Sequence, residues 1–246
     1  MKKYLFTLLL SAQIFAGEKL LVVGTTSGYA PYVSLNGKGD YEGFDVDFAK
    51  ELSAKLGREL VLKDCGSMPS LLLALQQNKV DVLIWAISIT EEREKKMEMV
   101  YYQGEKVTEM PVLFWKKVPI GISSMASLAK YTVSVEAGSF QESVLKRYSE
   151  INLKQVEKIT DAVMEIRFGK SSAALADPSL VETLLAQYPD LRVVNLPLRP
   201  EEYSLGNGIA INKNELALAE QIKKATQELI AEGKVAQLEK KWGISK

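Results

Sequence analysis

The chain has 246 residues, with 31 Lys and Arg against 31 Asp and Glu, no histidine and one cysteine, Cys65. That balance argues against a nucleic-acid partner, since neutralising phosphates takes a basic surface. One cysteine precludes an intramolecular disulfide, and the usual ligands of a structural zinc are missing, so no metal or other cofactor is expected. A hydrophobic fraction of 47% is enough to build one large core or two smaller ones.

Residues 1–16 carry Lys2 and Lys3, an apolar stretch through Leu10 and a small Ala16 ahead of Gly17-Glu18-Lys19. The pattern is that of a secretory signal peptide cleaved near Ala16, shorter than the roughly 20 apolar residues needed to span a membrane. No cysteine stands at the cleavage point to carry a lipid. Loss of Lys2 and Lys3 leaves 29 basic against 31 acidic residues, a net charge of −2. A soluble, exported protein is expected.

Residues 19–25, KLLVVGT, read as a first strand. The loop after it holds Tyr29, Pro31 and Tyr32, where two tyrosines at a strand's carboxyl end suggest either an aromatic wall for a ligand side chain or loop packing. Asn36-Gly37-Lys38-Gly39 is a hairpin-type turn. The following helix has an apolar face of Val46, Phe48, Ala49, Leu52 and Leu56, and its early Asp45 and Asp47 fit the helix dipole. Residues 60–62 are a second strand and 69–77 a helix. Cys65 between them is read as a small packed residue.

Residues 80–93, VDVLIWAISITEER, begin with an apolar run from Val82 to Ile87 that fits a buried parallel strand. Thr90 then caps a helix with acidic residues in its first turn. Ligands of open α/β sheets bind beyond the carboxyl ends of strands, which is where Ser88 and Arg93 fall. Trp85 is open to two readings, core packing and ligand contact. Residues 101–115 read as one extended segment, and 132–136 as a strand ahead of Gly138-Ser139-Phe140-Gln141-Glu142. A Gly-Ser turn at a helix start offers free N–H groups to an anion, or is simply a cap. Residues 160–168 are a helix and 173–176 a strand with Asp177-Pro178 at its exit, where Asp177 can cap the helix of residues 181–187. Residues 192–198 read as the strand that returns the chain to its first part. A long helix over 215–230 presents Leu216, Ala219, Ile222, Ala225 and Leu229 inward. Without histidine there is no Ser-His-Asp or Cys-His arrangement, and no phosphate-binding G-x-x-x-x-G-K occurs.

Six stretches together resemble one family. SITEER at residues 88–93 is similar to the S-I-T-x-x-R signature of periplasmic amino-acid-binding proteins, the solute receptors of polar amino-acid ABC importers. YAPY (29–32), GFDVDFAKELSAKLG (43–57), EAGSFQE (136–142), ALADPSLV (174–181) and EGKVAQLEKKWG (232–243) follow in that family's order. The resemblance implies an α/β fold, a two-lobed periplasmic binding protein of type II with a discontinuous first lobe and two crossover strands. Residues 17–106 and 200–246 would form lobe one, and 107–199 lobe two.

The resemblance also implies a ligand site made of Tyr29, Tyr32, Met68, Trp85, Ala86, Ser88, Arg93, Ser139, Phe140, Gln141 and Asp177. Tyr29 would cover a bound amino acid. Arg93 would fork onto its α-carboxylate with help from the Ser88 and Ser139 N–H groups. Asp177 would take the α-ammonium, with the Ser88 hydroxyl and the Ala86 carbonyl. Met68 departs from the aromatic common at its position, and Thr26 departs from an aspartate frequent in relatives that bind lysine-like side chains. An L-amino acid is expected, arginine before lysine with glutamine as runner-up, the cation finding an acceptor at Glu42 or in a ring of carbonyls. Delivery would be to an ABC permease, by a monomer in the periplasm. A cyclohexadienyl-dehydratase-like enzyme on this fold and a surface adhesin are the readings of other classes.

Overall fold

The computed structural model describes residues 20–244; the expected signal peptide lies outside them. The chain begins with β1 (Leu20–Thr25), a small hairpin of β2 (Ser34–Leu35) and β3 (Tyr41–Glu42), and α1 (Phe44–Leu56). It continues through β4 (Glu59–Asp64), α2 (Met68–Gln76), β5 (Val82–Ser88), α3 (Glu91–Lys96) and β6 (Met97–Gln103). A second run comprises β7 (Glu109–Trp115), β8 (Thr132–Glu136), α4 (Phe140–Leu145), β9 (Asn152–Val156), α5 (Ile159–Arg167), β10 (Ala173–Leu175), α6 (Val181–Gln187) and β11 (Leu191–Pro197). The chain closes with β12 (Asn207–Asn212), α7 (Leu216–Ala231) and α8 (Lys234–Trp242).

Two five-stranded sheets result, ordered β4-β1-β5-β12-β6 and β11-β7-β10-β8-β9. In the first, β1 runs parallel to β4 and β5, whereas the late β12 inserts antiparallel between β5 and β6. Every residue of β5 is buried, as a strand covered on both faces must be, and this explains its unbroken apolar run. Helix α1 buries Phe44, Val46, Phe48, Ala49 and Leu52, each large side chain contributing about 1.5–3 kcal/mol. Phe44 stacks on Tyr102 of β6 at 6.1 Å between ring centroids, and Phe48 packs tilted against the same ring at 4.8 Å. On α7, Ala219, Ile222, Ala225 and Leu229 are buried as expected, but Leu216 is 61% exposed because the helix begins there, beyond the sheet it covers.

The expected single extended segment over 101–115 is two strands in different sheets, β6 and β7. The crossing is made by residues 104–108, and the return by 198–206 rather than within β11. These two connections touch: Val107 N–H donates to the Ser204 carbonyl at 2.9 Å, and Ser204 N–H to the Val107 carbonyl at 3.4 Å. Gly206 sits at the crossing with φ +91°, where a Cβ would lie 2.8 Å from the Gly104 carbonyl oxygen. One hydrophobic core centres on Met110, Phe114, Met125 and Phe140 of the second body. The other runs from the first sheet across the cleft to Ile159 and Val163 of α5, so the two bodies are pressed together along the ends of β5 and β8.

Candidate functional site

The site is assembled at the carboxyl ends of β5 and β8. Past Ser88, Ile89 N–H donates to the Gly206 carbonyl at 2.8 Å, and Thr90 Oγ1 accepts the Arg93 N–H at 3.2 Å to start α3. This short helix turns the Arg93 side chain back over the strand end. Its Nη1 donates to the Ser88 carbonyl at 2.8 Å and its Nη2 crosses the cleft to the Gly138 carbonyl at 3.1 Å. Arg93 is 8% exposed; burial pushes its pKa down to about 10, which leaves it cationic at neutral pH.

On the facing side, Gly138 adopts φ +75°. Its N–H donates to Glu142 Oε2 at 2.6 Å, and Ser139 Oγ caps α4 by accepting the Glu142 N–H at 3.1 Å. The Ser139 N–H itself donates to the Glu136 carbonyl at 3.3 Å. Met68 reaches across to this turn: a Cβ on Gly138 would stand 3.2 Å from Met68 Cγ.

At the exit of β10, Asp177 Oδ1 accepts from Ser179 N–H at 3.0 Å and from Ser179 Oγ at 2.6 Å, while Oδ2 faces Gln141 Nε2 at 3.4 Å. It is therefore a cap and a cleft residue at once. The Tyr29 hydroxyl is held well above its ordinary pKa, by burial first and by the Asp177 charge second.

That wall is a pair of rings, Tyr29 on Trp85 at 4.9 Å and 47°, with Tyr32 6.0 Å further on. Trp85 Nε1 donates to the Thr26 carbonyl at 2.9 Å, so Trp85 both packs in the core and forms the wall. The space at these rings is about 10 Å³, room for a single water, and is bounded by Thr26, Tyr29, Ser67, Trp85, Glu136 and Lys158. Glu42 lies in the β2–β3 hairpin, outside that lining.

Ala86 is held in the left-handed region at φ +43°. Asp45, which the helix dipole alone explained in the sequence, reaches it instead: Asp45 Oδ2 accepts the Ala86 N–H at 2.7 Å and Oδ1 the Tyr102 hydroxyl at 2.6 Å. Burial raises the Asp45 carboxyl to about 7, against those two hydrogen bonds. Asp45 and Glu136 are the site residues that sequence reasoning missed. For Asp45 no local signal exists, because its partner is 41 residues away; Glu136 was findable by the strand-end rule that singled out Ser88.

Phe140 does not join this cluster; it packs into the second body's core and lines a separate groove of about 300 Å³ between α3 and α4. Several of that groove's charges are paired within their own elements, Glu91 with Lys95 at 2.6 Å, Glu92 with Lys96 at 2.7 Å and Glu202 with Arg199 at 2.6 Å. It offers no convergent group like Arg93. Among the described residues, no three His, Cys, Asp or Glu side chains are grouped to hold a metal ion, and no helix is long and apolar enough to cross a membrane.

Comparison with known proteins places these features in context. The family described as bacterial extracellular solute-binding proteins, family 3, matches residues 21–245. The probable ABC transporter arginine-binding protein ArtJ of Chlamydia trachomatis serovar D is 34% identical over 232 residues, 94% of this chain and 88% of its own. Among solved structures, a mutant of ArgBP from T. maritima superposes with a TM-score of 0.81 at 29% identity, over 92% of this chain and 96% of that one. An ancestral arginine-binding protein bound to arginine gives 0.80 at 27% identity, over 92% and 98%. The structure described as an ancestral arginine-binding protein bound to glutamine gives 0.79 at 27%, over 93% and 99%.

Proposed function

The chain belongs to the bacterial extracellular solute-binding proteins of family 3, and from that premise we propose that it is a receptor for an L-amino acid, arginine first, which it delivers to an ABC transporter permease. Its fold is the two-lobed one of its relatives, and its family works outside the cytoplasm. We place the lobe boundaries at residues 17–106 with 200–246 and at 107–199, the signal peptide at 1–16, and the mature protein in the periplasm as a monomer.

The observation that carries this reading is Arg93. A buried guanidinium that bonds carbonyls on both sides of the cleft, at Ser88 and Gly138, stands where a carboxylate bound between the lobes would meet a planar fork of donors. Asp177 supplies the opposite charge for an α-ammonium, and Tyr29 with Trp85 supplies faces on which a guanidinium stacks. The rings are now in contact, so a ligand side chain enters as they part. Closure is then a population shift driven by contacts that only the closed form makes with both lobes. Micromolar affinity corresponds to about 8 kcal/mol, which two charge-assisted anchors of about 1.5–3 kcal/mol each and aromatic burial bring within reach.

Thermal denaturation of the purified protein with each of the twenty amino acids tests the reading. A ligand at a hundred times its Kd stabilises by about 2.7 kcal/mol, a rise in Tm of roughly 5–10 °C for a protein of this size. Arginine should give the largest rise, and no rise with any amino acid would overturn the proposal. Glutamine is the second reading, favoured by the ancestral relative whose structure holds it. Chemical conversion of a bound amino acid or of a prephenate-like substrate would favour an enzyme on this fold instead; stoichiometric recovery of ligand favours the receptor.

A further inference from the structure

Resting on the amino-acid receptor reading above, we propose that Glu136 is the specificity-determining counter-charge of the site, the carboxylate that receives the guanidinium of the ligand side chain. The first lobe contributes Thr26, Ser27, Gly28, Tyr29, Ser67 and Trp85 to the space beside the aromatic rings, and none of these is charged. Glu136, last residue of β8, enters the same space from the second lobe and is the one carboxylate in its lining. Among the described residues its carboxylate makes no hydrogen bond and no ion pair, and the residue is half-buried.

A carboxylate so placed is unfavourable until a cation joins it. Nearby Lys158 lines the same space without forming a salt bridge to it. A guanidinium lying between the rings of Tyr29 and Trp85 presents its donor edge toward the cavity rim, and a carboxylate there takes two of its N–H groups in parallel. An ammonium has no such fork, and a neutral amide offers no charge to pair with the ionised carboxylate. The order arginine, lysine, glutamine follows from this one residue. Because Glu136 belongs to the second lobe while the rings belong to the first, the side chain of the ligand also becomes a tie across the cleft, as its α-carboxylate is through Arg93.

A proton accompanies the binding. Burial, reinforced by the charge of Asp177 and Asp161 and opposed by Lys158, raises the Glu136 carboxyl to about 8; Tyr29, also facing it, stays neutral in this range. A guanidinium bound to Glu136 favours its ionised form. Arginine uptake near pH 7 therefore releases protons, and affinity rises between about pH 6 and 8.

Calorimetric titration of wild type, Glu136→Gln and Glu136→Asp with arginine, glutamine and citrulline, the neutral isostere of arginine, tests the assignment. In Glu136→Gln, arginine should weaken at least thirtyfold while citrulline stays within threefold, and the proton release seen by repeating the titration in buffers of different ionisation enthalpy should disappear. Glu136→Asp should keep arginine ahead of citrulline. Arginine affinity within threefold of wild type in Glu136→Gln, or equal losses for arginine and citrulline, would overturn the assignment and leave the receptor reading standing. Wild type that prefers glutamine would do the same, and wild type that binds no amino acid would remove both.

Discussion

Asp45 holds Ala86. The carboxylate, fixed at the start of α1, accepts the Ala86 N–H at 2.7 Å and keeps that residue at φ +43°, a conformation an alanine rarely adopts unaided. The carbonyl and side chains at the end of β5 are aimed by this contact. Asp45→Ala strands the Ala86 N–H and the Tyr102 hydroxyl, each at about 1–3 kcal/mol, so chemical denaturation should show a loss of roughly 2–5 kcal/mol. In Asp45→Asn, Oδ1 can still accept from Ala86 while Nδ2 donates to Tyr102, and most of the stability should remain.

The same residue sets a pH dependence. Its folded-state pKa, about 7, lies above the ordinary 3.8. The folded protein therefore holds a proton that the unfolded chain has released. The associated stability is complete below about pH 4 and is lost as pH rises through 7, with a slope of up to about 1.4 kcal/mol per pH unit between them. Subtracting the Asp45→Asn profile from that of wild type should isolate this slope; parallel profiles would show that Asp45 does not titrate there.

Arg93→Lys should weaken ligand binding at least tenfold without unfolding the protein. A single ammonium cannot serve Ser88, Gly138 and a bidentate carboxylate together. Isothermal titration with unchanged affinity would remove Arg93 from the carboxylate site.

Asp177→Asn removes the countercharge for an α-ammonium and should cost on the order of 2–5 kcal/mol of binding. The cap on Ser179 survives through the amide oxygen. Comparing arginine with its analogue lacking the α-amine isolates the contact: the variant should discriminate between them poorly, and wild-type discrimination would place the ammonium elsewhere.

Gly138→Ala should favour the open form. A Cβ would stand 3.2 Å from Met68 Cγ and would force an L-residue to φ +75°, at about 1–2 kcal/mol for the backbone alone. Small-angle scattering should report a larger radius of gyration, and the Kd should rise; Met68→Ala in addition should recover only the steric part.

Strong local signals carried much of this structure. The unbroken run of β5 could be read because a strand covered on both faces admits no polar alternation, and Thr90 could be read as a cap because its hydroxyl acts three residues away. By contrast β9, with its sequence NLKQV, is an edge strand with exposed and half-buried positions, and lacks the pattern that would betray it. The break between β6 and β7 carries a local signal, Gly104-Glu105-Lys106 with Gly104 at φ +87°, which the apolar stretches on either side outweighed in the reading of one extended segment. Site residues followed the same division. Arg93 and Asp177 follow recognisable strand ends and Trp85 lies within the apolar run of β5, whereas the role of Asp45 depends on a partner 41 residues distant; Glu136 also ends a strand, but its role depends on rings brought from the other body.

The Val107–Ser204 bridge ties the two connections side by side. Two adjacent, mutually bonded strips act like the spine of a book: they resist sliding and shear but leave a single rotation free. In the receptor proposed above, opening and closing would then be read by one angle, and the groove between α3 and α4, lined in part by Lys106, Tyr203 and Leu205 of these connections, would widen or narrow with it. The transporter partner proposed above, if it gripped both covers, would sense whether the cargo is aboard from their outline alone, without touching the cargo. A pair of spin labels at Glu94 and Arg147 would serve as the protractor, its distance distribution falling into two populations whose ratio follows the ligand.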